Sequence, residues 1–448
     1  MTHLLTRVVA AALAVSPAFA QWVQAAPANH PTARRSSAMA FVPQNAGLIL
    51  FGGVSPALSN QTWLYDGLDW SLLSPAVSPT ARFGAELVYD QLRGVAVLYG
   101  GLNSPISIPP PTSETWEWDG TNWAQRTTTG NPGPRYLYGA CFDLLRGRTV
   151  IYGGATSQLL GSQTNQTWEF DGGAWTQVAT AGNPGPLERP AMCFDLGLGK
   201  AVLFGGGNGS GVSDQTWLYD GLAGTWTQVA TSGPRPSPRN AARMVYDETH
   251  GVCVLHGGQD ANGLLSDTWT FDGVGWRQQT GNAPTVRDHA MAFLPTVGQT
   301  VSFGGFVAAP NTLSDQTWEL GVASYGRGCA GSNGTPTLDA AGASVIGQSF
   351  TLTVGNIEPN FNLAFVVLGL DKVASLDLGF LGMPGCVALA TPDMLLNMAG
   401  AGGQATWTWP NVAGVLGATL YCQALCFDPV ANAFGFTTSN GVFATLRN

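Results

Sequence analysis

Residues 201–226 read "AVLFGGGNGSGVSDQTWLYDGLAGTW" and contain the landmarks that decide the fold. An apolar run ends in a Gly pair, a Thr-Trp run follows, and Asp-Gly then leads to a second Trp. Asp-Gly between two apolar runs is a strong hairpin signal, because the turn needs positive φ angles. The Gly pair indicates a close backbone approach that a Cβ would obstruct. This stretch therefore predicts three short β-strands.

The same landmarks recur about every fifty residues up to residue 320. A Gly pair recurs six times, and its second glycines are Gly53, Gly101, Gly154, Gly206, Gly258 and Gly305. The Thr-Trp run also recurs six times, at Trp63, Trp116, Trp168, Trp217, Trp269 and Trp318. The second Trp recurs five times, at Trp70, Trp123, Trp175, Trp226 and Trp276. With an arginine-led run added, each unit predicts four antiparallel strands, which is one blade of a β-propeller.

The order of these landmarks resembles the kelch family of β-propellers. The resemblance covers about residues 21 to 320 and recurs in six units. It implies an all-β, six-bladed kelch-type propeller, and it implies nothing by itself about function.

The N-terminal segment supplies the strand that the sixth unit lacks. That unit stops after "QTWELG" and has no second Trp. Trp22 lies 12 residues before Arg34, just as Trp70 lies 12 residues before Arg82. We therefore predict that residues 21–24 form the outer strand of the last blade and close the ring.

The two ends of the chain predict export and a second domain. Arg7, the run "VVAAALAV" and Ala18-Phe19-Ala20 are typical of a signal peptide over residues 1–20, cleaved after Ala20. The propeller would then occupy residues 21–322. Short β-rich runs separated by Gly, Pro and Asn predict an accessory β-sandwich over residues 325–448. The expected location is extracellular or periplasmic, either secreted or held at the cell envelope.

Composition and charge narrow the classes of partner. The net charge is −9, only two of the basic residues are lysines, and no basic run occurs. Nucleic acid is therefore not an expected partner. After the signal peptide no apolar run approaches the length needed to span a bilayer. We expect a monomer without a transmembrane segment.

The seven cysteines divide into two groups. Cys141, Cys193 and Cys253 sit in apolar strand-like runs and read as buried small hydrophobes, whereas four lie beyond residue 325. An exported chain can retain disulfides, and Cys329–Cys386 is the preferred bridge because each cysteine follows a Gly. In one extended strand Cys422 and Cys426 would lie about 13 Å apart, too far to bond each other.

One arginine opens each unit, and these six are the candidate ligand-binding residues. At the start of the innermost strands they would ring the channel mouth and could bind carboxylate or sulfate groups. The alternative is that they pair with the acidic or amide residues before each Thr-Trp run, which are Asn60, Glu114, Asn165, Asp214, Asp267 and Asp315. The six arginines are Arg34, Arg82, Arg135, Arg189, Arg239 and Arg287.

The sequence predicts no metal and no cofactor. Histidines are few and none has metal-ligand spacing. The resemblance extends to galactose oxidase, which couples a kelch propeller to a β-sandwich and builds a copper site from histidine, tyrosine and cysteine. The residues after 325 contain no histidine, so no copper ligand is carried over.

Two functions follow from these residues. The first is a non-enzymatic recognition or scaffold module that binds a glycan or a protein through its loop face. The second is a carbohydrate-active enzyme that would need acidic residues converging from different blades, such as Glu188, Asp260 or Asp288. The absence of a convergent acid, base and metal set favours binding over catalysis.

Overall fold

A computed structural model describes residues 22–104, 111–159, 161–230, 233–279, 281–308 and 312–320, and beyond them a set of strands between 324 and 445. The predicted signal peptide, Cys329 and Cys386 lie outside the described residues. Within the described part, no helix is long and apolar enough to cross a membrane.

Six antiparallel sheets of four strands form a propeller, and we number the blades by their innermost strands. The innermost strands are Ala38–Val42, Glu86–Asp90, Gly139–Asp143, Ala191–Asp195, Arg243–Asp247 and Ala290–Leu294. The second strands are Gly47–Phe51, Val95–Tyr99, Arg148–Tyr152, Lys200–Phe204, Val252–His256 and Gln299–Phe303. The third strands are Thr62–Tyr65, Thr115–Trp118, Thr167–Phe170, Thr216–Asp220, Thr268–Phe271 and Thr317–Leu320. The outer strands are Trp70–Leu73, Trp123–Arg126, Trp175–Val178, Thr225–Gln228, Trp276–Gln279 and Trp22–Ala25.

The two ends of the propeller carry different connections. The turn face carries the tight turns from first to second and from third to outer strands, including a 3-10 helix over Pro43–Asn45. The loop face carries the longer connections and four short hairpins. These pair Val54–Ser55 with Ala57–Leu58, Gly207–Asn208 with Gly211–Val212, Gln259–Asp260 with Gly263–Leu264, and Phe306–Ala308 with Thr312–Leu313.

The Gly pair is where each blade touches the next. Gly52 and Gly53 both have positive φ, and the amide of Gly53 donates to the carbonyl of Arg82 in the following blade at 2.9 Å. A Cβ on Gly52 would lie 2.6 Å from that carbonyl oxygen, closer than real Cβ contacts come. The same bond recurs at every junction, ending with Gly305 to Arg34 at 2.8 Å. Glycine is therefore required by the spacing between blades.

The predicted closure by the N-terminus is confirmed, with the strand at Trp22–Ala25. It pairs antiparallel with Thr317–Leu320, so the last blade joins both ends of the propeller. The indole Nε1 of Trp22 donates to Oγ1 of Thr268 in blade 5 at 2.9 Å. The outer-strand Trp of every other blade makes the same 2.9 Å bond to the preceding blade, through the pairs Trp70–Thr317, Trp123–Thr62, Trp175–Thr115, Trp226–Thr167 and Trp276–Thr216.

Two histidines are buried at the junction of blades 5 and 6. His256 stands where other blades have Phe or Tyr, and its ring lies 4.7 Å from that of Trp22 and 5.4 Å from that of His289. Both side chains are fully buried. Burial lowers the pKa of His256 to about 4 and lowers the pKa of His289 well below its usual value.

After the propeller the described strands form further antiparallel sheets. Ser324–Tyr325, Leu363–Gly369, Met394–Ala399, Thr419–Phe427 and Phe436–Thr445 form a five-stranded sheet. Thr337–Ala341, Phe350–Gly355 and Ala405–Trp409 form a second sheet, and Lys372–Asp377 pairs with Val387–Ala390. Cys422 and Cys426 are buried in one strand and are not bonded to each other. The sandwich packing of these sheets stays a prediction.

Changing Trp22 tests the closure of the ring. We expect Trp22→Phe to lower the free energy of unfolding by about 1 kcal/mol, because it removes the bond to Thr268. Trp22→Ala should lower it by about 3–5 kcal/mol, since it also empties the core between the blades. Urea denaturation of the full chain measures both. Trp318→Phe is the control, because its indole bonds Gln316 at the surface; equal losses at Trp22 and Trp318 would contradict the closure.

Stability should fall in mild acid because of His256. Its pKa is lower folded than unfolded, so its contribution is complete above about pH 6.5 and is lost as the pH falls toward 4. Between pH 7 and pH 5 this loss is about 2 kcal/mol. His256→Phe introduces the residue that blades 1, 4 and 6 have at this position. In urea titrations it should remove the loss of about 2 kcal/mol that His256 contributes between pH 7 and pH 5. The exposed His30→Phe should leave it unchanged, and an unaltered pH dependence in His256→Phe would refute the assignment.

Candidate mouth site on the loop face

A closed ring of backbone hydrogen bonds surrounds the axis at the loop face. One residue just before each innermost strand adopts a left-handed conformation, with φ between 53° and 69°. Its amide donates to the carbonyl of the equivalent residue in the preceding blade, at 2.7–3.1 Å. The ring fixes the channel mouth whatever the side chains are. Its members are Ser36, Gly84, Leu137, Arg189, Ala241 and Asp288.

Four of the six predicted arginines are buried inside their own blades. Their exposed fractions are 1–2%. Arg82 is typical, since its guanidinium donates to the carbonyl of Gly100 at 3.0 Å and to the carboxylate of Glu114 at 2.7 Å. Burial lowers the pKa of Arg34 to about 10. These arginines tie strands together and do not face the channel mouth. They are Arg34, Arg82, Arg135 and Arg239.

The acceptors of these buried arginines stand directly before each Thr-Trp run. Arg34 bonds Gln61 at 2.8 Å, Arg135 bonds Gln166 at 2.9 Å, and Arg239 bonds both carboxylate oxygens of Asp267. The predicted partners Asn60 and Asn165 are one residue too early, whereas Glu114 and Asp267 are correct. The pairs lie within single blades. The bond to the neighbouring blade is made by the arginine's own carbonyl.

Arg189 and Arg287 do not share the position of the other four. The carbonyls that receive the Gly-pair amides in blades 3 and 5 belong to Leu187 and Val286, so these residues stand where the buried arginines would be. Arg189 lies two positions later, in the backbone ring, and Arg287 lies one position later. The six arginines therefore do not form one equivalent ring. No distinctive residue type marks the segment just before each innermost strand, so the sequence could not show that Arg189 and Arg287 are displaced.

Three arginines instead gather at the mouth around one buried carboxylate. Asp288 has a side chain only 3% exposed, and its carboxylate oxygens lie 3.3 Å from Arg287, 3.6 Å from Arg189 and 3.9 Å from Arg35. The three arginines remain 21–31% exposed. Glu188 is the neighbouring acid, so three positive charges stand against two negative ones. The mouth is therefore basic on a chain whose net charge is −9.

Several polar atoms at the mouth are buried without a hydrogen-bond partner. They are Nε of Arg189, Nε of Arg287, Oγ of Ser36 and Oδ1 of Asn240. Burial lowers the pKa of Arg287, since the guanidinium loses water without gaining a full set of acceptors. Unpaired buried donors are costly and are uncommon in folded proteins. Two of the four atoms are guanidinium donors, Oγ of Ser36 can donate or accept, and Oδ1 of Asn240 only accepts.

Aromatic rings frame this cluster. The guanidinium of Arg35 lies 5.8 Å from the ring of Phe83, and that of Arg287 lies 4.6 Å from the ring of Phe306. Phe83 also meets Tyr136 edge to face at 6.1 Å. These contacts hold the arginine planes and surround the charges with apolar surface, where electrostatic attraction is stronger than in bulk water.

An ion pair across the axis forms the floor of the mouth. Arg243 of blade 5 reaches Glu86 of blade 2 at 2.5 Å, and these two blades face each other across the channel. Arg243 also donates to the carbonyl of His289 at 2.8 Å. Burial raises the pKa of Glu86 despite the facing arginine. Glu86 and Arg243 are the first residues of their innermost strands. The other four innermost strands begin with Ala or Gly, which leaves room for the ion pair.

Two of the three acidic residues named for the enzymatic interpretation hold other partners. Asp288 is enclosed by arginines, and Asp260 caps its own hairpin by accepting the amides of Asn262 and Gly263. In the part of the chain that the structure describes, no three His, Cys, Asp or Glu residues are grouped to bind a metal.

Arg35, Glu86 and Arg243 are not among the residues predicted from the sequence. Arg35 directly follows Arg34 in "TARRSS", and only the first arginine fits the repeat pattern. Arg35 and Arg287 occupy equivalent positions, because each directly follows the residue whose carbonyl accepts the Gly-pair amide. Glu86 and Arg243 are the two charged residues at a position that is small in the other blades, and that exception was the available signal.

Comparisons with known proteins indicate the family of this closed propeller. Residues 91–305 match the sequence model of the KLHDC2/KLHL20/DRC7 Kelch-repeats domain. Together with the six four-stranded blades, this match supports a kelch-repeat propeller family for the chain. Kelch propellers commonly bind other proteins.

Two curated proteins are similar over part of the propeller. The tRNA wybutosine-synthesizing protein 4 of Emericella nidulans is 29% identical over 178 residues, covering 35% of this chain and 16% of that protein. Dynein regulatory complex subunit 7 of Chlamydomonas reinhardtii is 33% identical over 90 residues, covering 20% of this chain and 8% of that protein. The chain thus spans less than a fifth of either relative.

Substitution of a buried arginine tests whether these residues stabilise the fold. Arg82→Leu should lower the free energy of unfolding by about 3 kcal/mol, because it breaks a buried ion pair and leaves the carbonyl of Gly100 unpaired. Glu114→Gln is the matched control. It should cost less than about 1 kcal/mol, since Arg34 and Arg135 already use a glutamine in that place. Urea denaturation measures both, and a neutral Arg82→Leu would show that the buried arginines are not structural.

Proposed function

We propose that this protein is a non-enzymatic recognition module that binds an acidic segment of a partner protein at its loop-face mouth. The observation that carries the proposal is the cluster of Arg35, Arg189 and Arg287 around Asp288. Three guanidinium groups share one carboxylate, and two of their Nε donors have no hydrogen-bond partner. A carboxylate from outside would bond the exposed part of the guanidinium groups, which are 21–31% exposed, and would balance the excess charge.

The shape of the mouth supports a peptide side chain or chain segment as the occupant. The ion pair of Glu86 and Arg243 bridges two opposite blades below the arginine cluster and so gives the mouth a floor. Phe83, Tyr136 and Phe306 offer apolar contact around the charges, which suits a segment with both acidic and apolar residues. The match to the Kelch-repeats domain supports a protein as the partner. As part of the proposal, the protein acts as a monomer outside the cytoplasm.

Peptide binding to the full chain tests this function. Fluorescence anisotropy with labelled Asp- and Glu-rich peptides, capped at both ends, should give affinities that weaken as salt rises. Arg189→Ala or Arg287→Ala should weaken binding about tenfold or more, because each removes a charge-assisted bond of about 1.5–3 kcal/mol. Melting temperatures are measured alongside.

Arg235→Ala is the matched control for these variants. Arg235 lies on the same face, is 51% exposed and pairs with Asp214 away from the mouth. It should leave peptide affinity within about twofold. An equal loss in Arg235→Ala would mean that the attraction is a diffuse surface effect. Binding of an acidic polysaccharide in place of every peptide would overturn the assignment of a protein partner.

A further inference from the structure

The channel continues beyond the ion pair as a chamber that the proposed function does not use. A cavity of 590 Å³ extends from Glu86 and Arg243 to the turn face. All six innermost strands contribute to its wall. We call it the lower chamber, and it lies on the opposite side of the ion pair from the arginine cluster.

A complete aromatic ring lines the lower chamber near its opening. The fourth residue of every innermost strand is Phe or Tyr, and all six line the cavity. Fixed aromatic rings supply large apolar surfaces with little loss of side-chain entropy on binding. The ring consists of Phe41, Tyr89, Phe142, Phe194, Tyr246 and Phe293.

The chamber widens and becomes adaptable between this ring and the ion pair. The third residues of the innermost strands are small or medium in size, and in blades 1 and 6 they are Ala40 and Ala292. Four blades place a methionine before them, and a thioether side chain adjusts its shape to different ligands. These methionines are Met39, Met192, Met244 and Met291.

The exposed wall of the chamber is nearly as polar as it is apolar. Each innermost strand stands at the end of its sheet, so one edge of its backbone has no partner strand. These edges present amides and carbonyls to the lumen, and the ion pair adds polar atoms at the closed end. The volume of the chamber lies within the range of about 300–1,000 Å³ that is usual for a small-molecule site.

We propose that the lower chamber is a binding site for an uncharged, largely aromatic molecule of drug-like size that enters from the turn face. The entrance is lined by Pro43, Gln91, Glu248 and Pro295, none of which is basic. The ion pair lies between the chamber and the mouth, so the two proposed sites are separate places in the channel. This inference therefore does not rest on the proposed recognition of acidic segments.

The probe for this site is N-phenyl-1-naphthylamine, an uncharged aromatic molecule that becomes fluorescent out of water. We expect the full chain to raise its emission saturably, with one site per molecule. Val88→Phe/Val245→Phe places an extra ring on two opposite walls, because both valines are half-buried in the lining. The emission of bound probe should be at least fivefold lower with this double variant than with the wild type.

Val274→Phe is the control, since Val274 is 62% exposed in a turn on the same face and outside the cavity. It should bind the probe as the wild type does. The smaller change Val245→Met should give a partial loss, and it serves as the test if the double variant does not fold. No saturable emission with the wild type, or equal emission from the filled variants, would overturn the proposal. Acidic-peptide binding should be unchanged throughout, which separates this test from that of the mouth.

Discussion

The hydrogen bond from the second glycine of each Gly pair to a carbonyl of the next blade is the constraint on which the propeller depends. It sets how closely two blades approach, and a Cβ on the first glycine would be within 2.4–2.6 Å of that oxygen at every junction. Because the bond ends on the residue that leads into the innermost strand, it also fixes where that strand begins. The backbone ring at the mouth and the Trp–Thr bonds at the periphery follow from this spacing.

The sequence was sufficient for features that each blade repeats with a distinctive residue. The Gly pairs, the tryptophans and Trp22 have strong steric requirements, so their spacing predicted six blades and the closure by the N-terminus. The register of Arg189 and Arg287 could not be obtained in this way. The left-handed ring position is held by backbone bonds alone, and residues as different as Ser36, Leu137 and Asp288 occupy it. No residue type marks it in the sequence.

The sequence marks Glu86 and Arg243 as exceptions to the repeat, but it could not predict that they pair across the axis. Glu86 and Arg243 are 157 residues apart and belong to blades that never touch through their strands. Their pairing depends on the diameter of the closed ring and on small residues in the other blades. The candidate site has the same character, since it is built from departures from the repeat. The repeated positions form the scaffold. The charged residues that depart from the repeat lie in two groups along the channel, which are the arginine cluster around Asp288 and the ion pair of Glu86 and Arg243.

Closure by the N-terminal strand has a consequence for how the chain folds. Trp22 and Thr268 are separated by 246 residues, so their bond is among the longest-range contacts of the described propeller. Blades 1 to 5 are built from contiguous segments and can form soon after they emerge. Blade 6 must wait while residues 22–25 stay unpaired and its third strand, Thr317–Leu320, offers an open edge. Folding of this propeller is therefore expected to end with one slow, long-range step, and the open edge before it is the point of greatest exposure to mispairing between chains.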